Sequence, residues 1–320
     1  MPLPPDLPKA VLANAEELSF HVSPLLRSGH LSAQVRQSLN ELLRETHGQT
    51  TVKLRAFVAG PGDARAVGSE VTQVFGEHRL LLPALSVMRV GALPTPGSQV
   101  VIEAVTAASG KQLNPEGLAF ASGQRAANLD AALEKLANGM KEAWLPLDNV
   151  LSVTCFVPTL EHLDAVRSRF PQAAINVMQP LRDPIDESTT CEGVGRLGPP
   201  PLTDAPPLLL LGRSRVARVT DPQLIFTGMQ LSFGNFLDDA EEAVSRLQRT
   251  AAALAPTAAT VQVDAFAYDS ASGAALRKRA TVPRSTLTVQ IVEGLPGADA
   301  TAGIEAILAA GIKDSTPVER

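Results

Sequence analysis

The 320-residue sequence predicts an α+β protein of three like units in tandem, each a β-sheet with helices on one face. Three observations lead there. A strand with phenylalanine near its end recurs as TVKLRAFVAG from Thr51, VLSVTCFVPT from Val150 and TVQVDAFAYD from Thr260, which places Phe57, Phe156 and Phe266 about 100 to 110 residues apart. That period is too long for a solenoid and suits a small domain. Around each such strand lie a long amphipathic stretch before it, a shorter helical stretch after it and two closing strands, an α+β layer. Finally, a sheet with helices on one side must bury its other side. Three covalently joined copies can do so by packing sheet against sheet around a pseudo-threefold axis, as homotrimers do.

The units divide as residues 1–108, 109–198 and 199–320. In the first, LSAQVRQSLNELLRETH puts Val35, Leu39, Leu42 and Leu43 on one helical stripe. The strand from Thr51 alternates Val52, Leu54, Ala56 and Val58 on one face. A second helix is predicted over Asp63 to Phe75, then strands from Leu85 and Ser98 with a turn at Pro96-Gly97. The second unit opens on LAFASGQ from Leu118. Its helix NLDAALEKLANGMKEAW carries Leu129, Leu133, Leu136 and Met140 on one face, a shorter helix covers Leu160 to Phe170, and INVMQPL and STTCEGVGRL are strands. The linker GPPPLTDAPP from Gly198 is too proline-rich for a helix or a central strand. In the third unit, FLDDAEEAVSRLQRTAAAL is a helix with Asp238 and Asp239 at its electropositive end, SGAALRKRA is a shortened second helix, and RSTLTVQIV and TAGIEAILAA are strands.

Composition narrows the function classes. The chain is 45% hydrophobic and 19% charged, which gives apolar mass for more than one core. A net charge of −5 and only 4% aromatic residues argue against a nucleic-acid partner. No apolar stretch is long enough to span a membrane, and the N-terminus lacks the pattern of a secretory signal. The two cysteines, Cys155 and Cys191, exclude a disulfide framework and suit a reducing cytoplasm, with Cys155 read as a core residue. Five scattered histidines lack metal-ligand spacing, so neither a metal nor another cofactor is expected.

LAFASGQ with its helix, VLSVTCFV and LEHLDAVRSRF, VPRSTLTVQIVEGLP from Val282, GIEAILA from Gly303, and in the first unit HLSAQVRQSLNELL and VVIEAV, together resemble the Rid (YjgF/YER057c/UK114, endoribonuclease L-PSP-like) family three times over. The resemblance implies a chorismate-mutase-like fold with ligand clefts between neighbouring units. It implies hydrolysis of small carboxylate-bearing imines or enamines to a keto acid and ammonia, with one chain acting as its own trimer. Carried over, Arg284 binds the substrate carboxylate, Glu305 positions the attacking water, and Gly228, Met229 and Thr286 contact substrate. Aligning the other units by strand sequence puts Leu85 and Ile175 at the arginine position, while Glu103 and Glu192 keep the acid. The tyrosine and asparagine of many family deaminases have no counterpart.

A guanidinium suits a carboxylate because its planar fork donates two parallel hydrogen bonds, which leucine and isoleucine cannot offer. Arg284 reads either as that anchor or as a solvated residue at a strand start. Glu305, in an apolar strand, reads either as a carboxyl tuned by burial or as a structural acid, since Glu103 and Glu192 recur. Two functions stay open: an imine or enamine deaminase with one surviving cleft, and a non-catalytic small-carboxylate-binding or scaffold protein. An endoribonuclease is not favoured.

Overall fold

A computed structural model describes residues 7–310 apart from 61, 111, 116, 144, 181–187, 199–207, 212–213, 219–222, 235, 281–285 and 298. The proline-rich linker therefore lies, apart from its first residue, outside the described residues, as does Arg284. In chain order the elements begin with β1 (Ala10–Ala13), β2 (Leu18–Val22), α1 (Leu31–Glu45), β3 (Gln49–Ala59), α2 (Ala64–Glu77), β4 (Ala84–Val90) and β5 (Val100–Ala108). The middle of the chain forms β6 (Leu118–Ala121), β7 (Gln124–Ala126), α3 (Leu129–Glu142), β8 (Val150–Phe156), α4 (Leu163–Arg169), β9 (Ala174–Met178) and β10 (Thr189–Arg196). The last part forms β11 (Leu208–Leu211), β12 (Ser214–Arg218), β13 (Gln223–Thr227), β14 (Gln230–Phe233), α5 (Phe236–Leu254), β15 (Ala259–Ala267), α6 (Ser270–Arg279), β16 (Leu287–Ile291) and β17 (Ala300–Ala310).

These strands make three sheets, ordered β2-β5-β3-β4, β1-β6-β10-β8-β9 and β11-β12-β13-β17-β15-β16. In each, a helix-linked pair runs parallel (β3 with β4, β8 with β9, β15 with β16) and the closing strand runs antiparallel to the first of that pair. The chain is thus α+β, as the sequence predicts. One strand crosses over: β1, from the first unit, pairs with β6 and joins the second sheet.

Helices cover one face of each sheet. Val35, Leu39 and Leu42 of α1 and Val67, Val71 and Val74 of α2 pack on Leu54, Ala56 and Val58 of β3. Val52 does not share that face; it joins a separate cluster with Leu118, Leu151 and Phe226. The reason is a β-bulge. The pairing of β3 with β5 shifts between Thr51 and Lys53, and the corresponding strands shift by skipping Leu151 and Val261. A bulge adds one residue and reverses which face the preceding side chains take. Beyond it, the uncovered face of β3 presents Lys53, Arg55 and Phe57.

The three uncovered faces meet. Phe57 and Phe266 are fully buried and Phe156 nearly so, and the Phe57 ring lies 6.2 Å from Phe156 and 6.4 Å from Phe266, edge to face in both cases. Met88, Met178, Val101 and Val292 complete that cluster. Cys155 and Cys191, expected as unpaired residues, sit opposite each other on β8 and β10 and form a disulfide. Directly opposed residues on antiparallel strands share a face with Cβ atoms about 4.5–5.5 Å apart, so a small approach brings two sulfurs together. The inference from unpaired thiols to a reducing compartment loses its basis. No helix among the described residues is long and apolar enough to cross a membrane.

Candidate functional site

Two places gather polar side chains between the sheets: the axis where the sheets meet, and an outer cleft. Both follow from register. Two residues before each clustered phenylalanine stand Arg55, Thr154 and Asp264. Their partners on the closing strands are Glu103, Glu192 and Glu305, and on the parallel strands Ser86, Asn176 and Thr288. All three glutamates therefore face the axis, each nearly inaccessible to solvent.

Two cations hold this group together. Lys53 Nζ donates to Ser86 Oγ at 2.6 Å and to the Ala121 carbonyl at 2.7 Å, and pairs with Glu192 Oε2 at 2.7 Å. Arg55 Nε lies 2.6 Å from Glu192 Oε1, and its Nη1 lies 2.6 Å from Asp264 Oδ2 and 3.3 Å from Glu103 Oε2. Gln262 Nε2 donates to Glu103 at 3.1 Å, and Thr288 Oγ1 donates to Glu103 at 2.6 Å.

The environments split the acids. Burial opposes the Glu192 charge, but Arg55 and Lys53 outweigh it and hold that carboxyl at about 2. Burial, reinforced by the neighbouring Asp264, pushes both Glu103 and Glu305 well above the usual carboxylate range. Burial also lowers Lys53, against the pull of Glu192. Among the described residues no group of His, Cys, Asp or Glu is arranged to hold a metal ion.

The contacts also fix which unit faces which. Thr288 of β16 reaches Glu103 of the first sheet, Asn176 of β9 donates to Glu305 of the third, and Lys53, which also donates to Ser86 of β4, pairs with Glu192 of the second. The turns obey the same order. Gly123 N donates to the Leu85 carbonyl at 3.0 Å, and Met229 N donates to Asn176 Oδ1 at 2.8 Å. Gly228 and Met229 thus lie beside β9, away from the β16 strand that follows Arg284. Glu305 lies there too, so the glutamate that meets β16 is Glu103, beside Asp264 of the neighbouring strand. The turn facing β16 is Ser23-Pro24-Leu25.

Register corrects one alignment. Leu85, Ile175 and Leu287 pair with Leu54, Val153 and Val263, each three residues before a clustered phenylalanine. Leu85 and Ile175 therefore match Leu287, and the positions that answer to Arg284 are Leu82 and Gln172. Neither carries a guanidinium, so the contrast with Arg284 stands.

The outer cleft has a volume of about 420 Å³ and lies between the first and third sheets. The Ser23–Leu25 turn and Arg27 form one side, and Arg277 with Leu287, Thr288 and Val289 the other; Glu41 and Glu45 of α1 also line it. Arg27 is fixed through its backbone. Ser98 Oγ donates to the Leu26 carbonyl at 2.7 Å, and Gly97, at φ +84°, comes so close that a Cβ there would lie 2.4 Å from the Arg27 carbonyl oxygen. Arg277 Nη1 lies 3.5 Å from Thr95 Oγ1 across the cleft. Thr286 is half-buried, one residue before β16.

Sequence reasoning missed Lys53, Arg55, Gln262 and Asp264. The signal was present: each stands two or four residues before a repeated phenylalanine, on the face opposite the apolar alternation.

No protein-family model matches the chain, and no curated protein does. Among solved structures, a chorismatase matches over 93% of this chain and 99% of its own, with 11% identity and a TM-score of 0.54, so the two share a fold. Escherichia coli TdcF with bound serine matches 32% of this chain and 94% of its own at 20% identity and a TM-score of 0.26. The YjgF gene product of E. coli matches 32% of this chain and 92% of its own at 24% identity and a TM-score of 0.25.

Proposed function

We propose that this is a Rid-like protein in which three units of one chain stand in for the subunits of a trimer, and that its outer cleft binds a small carboxylate-bearing metabolite. The observation that carries the reading is the cleft itself: about 420 Å³ between the first and third sheets, with Arg27 and Arg277 on its walls. In sequence, Arg284 stands three residues before β16. Guanidinium groups in a recess favour a small anion. The match to a chorismatase over nearly the whole of both chains supports reading the three sheets as one fold within a single chain.

Binding without turnover is the favoured form, because Glu103, Glu192 and Glu305 are all engaged in the axial cluster. A deaminase remains the second reading, and one observation favours it. Thr288 lines the cleft and donates to Glu103, whose carboxyl is held above its usual range, the direction needed for acid–base work near neutrality. In that reading Glu103, rather than Glu305, is the acid paired with Arg284.

Titration calorimetry with pyruvate, 2-oxobutanoate and chorismate, against butanone as an uncharged control, tests the proposal. Saturable binding of at least one acid, lost in Arg284→Ala, is expected. No heat with any of the acids overturns it. Release of keto acid from 2-aminoacrylate in a coupled assay, abolished by Glu103→Gln, decides for the deaminase.

A further inference from the structure

The axis holds a second, separate cavity, of about 70 Å³, lined by residues from all three sheets. One part is polar: Lys53, Arg55, Glu103, Glu192, Asp264 and Glu305. The other part is apolar: Phe120 and Phe226 with Val105, Val194 and Ile307, each of the last three standing two residues beyond one of the glutamates. Neighbours two apart on a strand share a face, so one face of each closing strand supplies an acid and then an aliphatic group.

The carboxyl groups are unequally held. Four carboxyl groups face two cations, and the cations are already committed. Lys53 uses its donors on Ser86, Ala121 and Glu192; Arg55 uses its own on Glu192 and Asp264, with Glu103 at longer range. Glu305 has a single described donor, the Asn176 amide. An incoming anion would add to an excess of carboxyl groups in a buried space, which is costly. An incoming ammonium would find free lone pairs on Glu305, whereas Asp264 is already engaged by Arg55, Gln262 and Thr288.

This arrangement requires three non-identical units. Arg55, Thr154 and Asp264 occupy corresponding register positions, as do Lys53, Ser152 and Gln262. A symmetric trimer would place three like charges at that point of the axis, and three arginines or three aspartates would repel one another.

We infer that the axial cavity is a binding site for a short-chain primary ammonium, its nitrogen donating to Glu305 and its alkyl group lying among Val105, Val194, Ile307 and the two phenylalanines. The volume suits a head group with a few carbons; an apolar cavity about twice as large takes a benzene ring. The outer cleft is a different place in the fold, so this inference does not depend on the carboxylate reading.

The test uses the full chain and n-propylammonium chloride, with potassium chloride at equal ionic strength, n-propanol and propionate as controls. Saturable heat and a raised melting temperature with propylammonium alone support the inference. Loss of a charge-assisted bond in Glu305→Gln should weaken binding about tenfold or more. Ile307→Phe, which keeps the charges and fills the apolar part, should abolish it. Three results overturn the inference: no saturable effect of propylammonium beyond that of potassium chloride, an equal effect of propanol, or folded Glu305→Gln and Ile307→Phe proteins that bind as the parent does. The parent protein alone can return the first two, so the test survives a variant that fails to fold.

Discussion

Replacing Gln290 by methionine should make the protein more stable. Gln290 is fully inaccessible to solvent, and among the described residues neither its amide nitrogen nor its oxygen has a hydrogen-bond partner. It sits opposite Phe266 in the parallel pair, where the other two sheets place Met88 opposite Phe57 and Met178 opposite Phe156. Its neighbours Leu287, Val289 and Ile291 turn toward the helices, so Gln290 turns toward the apolar cluster on the axis. A buried amide without partners costs about 1–3 kcal/mol. Methionine has nearly the same length and volume, and its thioether packs well beside aromatic rings. The expected gain is therefore about 1–3 kcal/mol, or roughly 2 °C in melting temperature per kcal/mol for a chain of this size. Urea denaturation of Gln290→Met and of the converse Met178→Gln measures both. The midpoint should rise in the first and fall in the second with an unchanged slope. A lower midpoint for Gln290→Met would mean that the amide is engaged, and would refute the reasoning.

Two other outcomes bear on the axis and the second sheet. Glu192 is held at about 2 against an ordinary 4.5, so its contribution to stability is complete above pH 4.5 and is lost as pH falls toward 2. Glu103 and Glu305 are shifted upward, so their effect has the opposite sign, and stability declines as pH rises above 4.5 toward their folded values. Arg55→Met should cost about 3–5 kcal/mol and weaken the acid limb, with Lys53 still paired to Glu192, read by urea melts at several pH values; a loss below about 1 kcal/mol would show the ion cluster to be dispensable. The Cys155–Cys191 bond closes 36 residues of sequence separation, so its reduction should cost about 3–4 kcal/mol. Thiol counting under denaturing conditions without reductant should find no free thiol, and finding two would overturn the pairing.

Much of the fold was legible because it rests on local periodicity. The helical stripe of α1 and the alternation from Leu54 to Val58 are properties of neighbours in sequence, and the cores they build lie where those stripes point. Val52 escaped because a bulge is a feature of strand pairing, which one strand's sequence does not display. The site was less legible. Arg55 and Asp264 meet at 2.6 Å across 209 residues, and no pattern along the chain joins them. The resemblance pairs Glu305 with Arg284 within one stretch of sequence. Packing three sheets around an axis instead brings each parallel-strand residue to the glutamate of the next sheet, so Thr288 meets Glu103.

The sequence by itself determined that the chain is α+β, where most of its helices and strands run, and that only one segment carries the Arg284 motif. The tertiary structure alone decided the order in which the sheets face one another. With that order it decided which acid, turn and strand share a cleft, and that Lys53, Arg55 and Asp264 occupy one buried space. The physical reason is that secondary structure is set by residues a few positions apart, while each charge here is stabilised by partners on other sheets, brought together only when three apolar faces close on Phe57, Phe156 and Phe266.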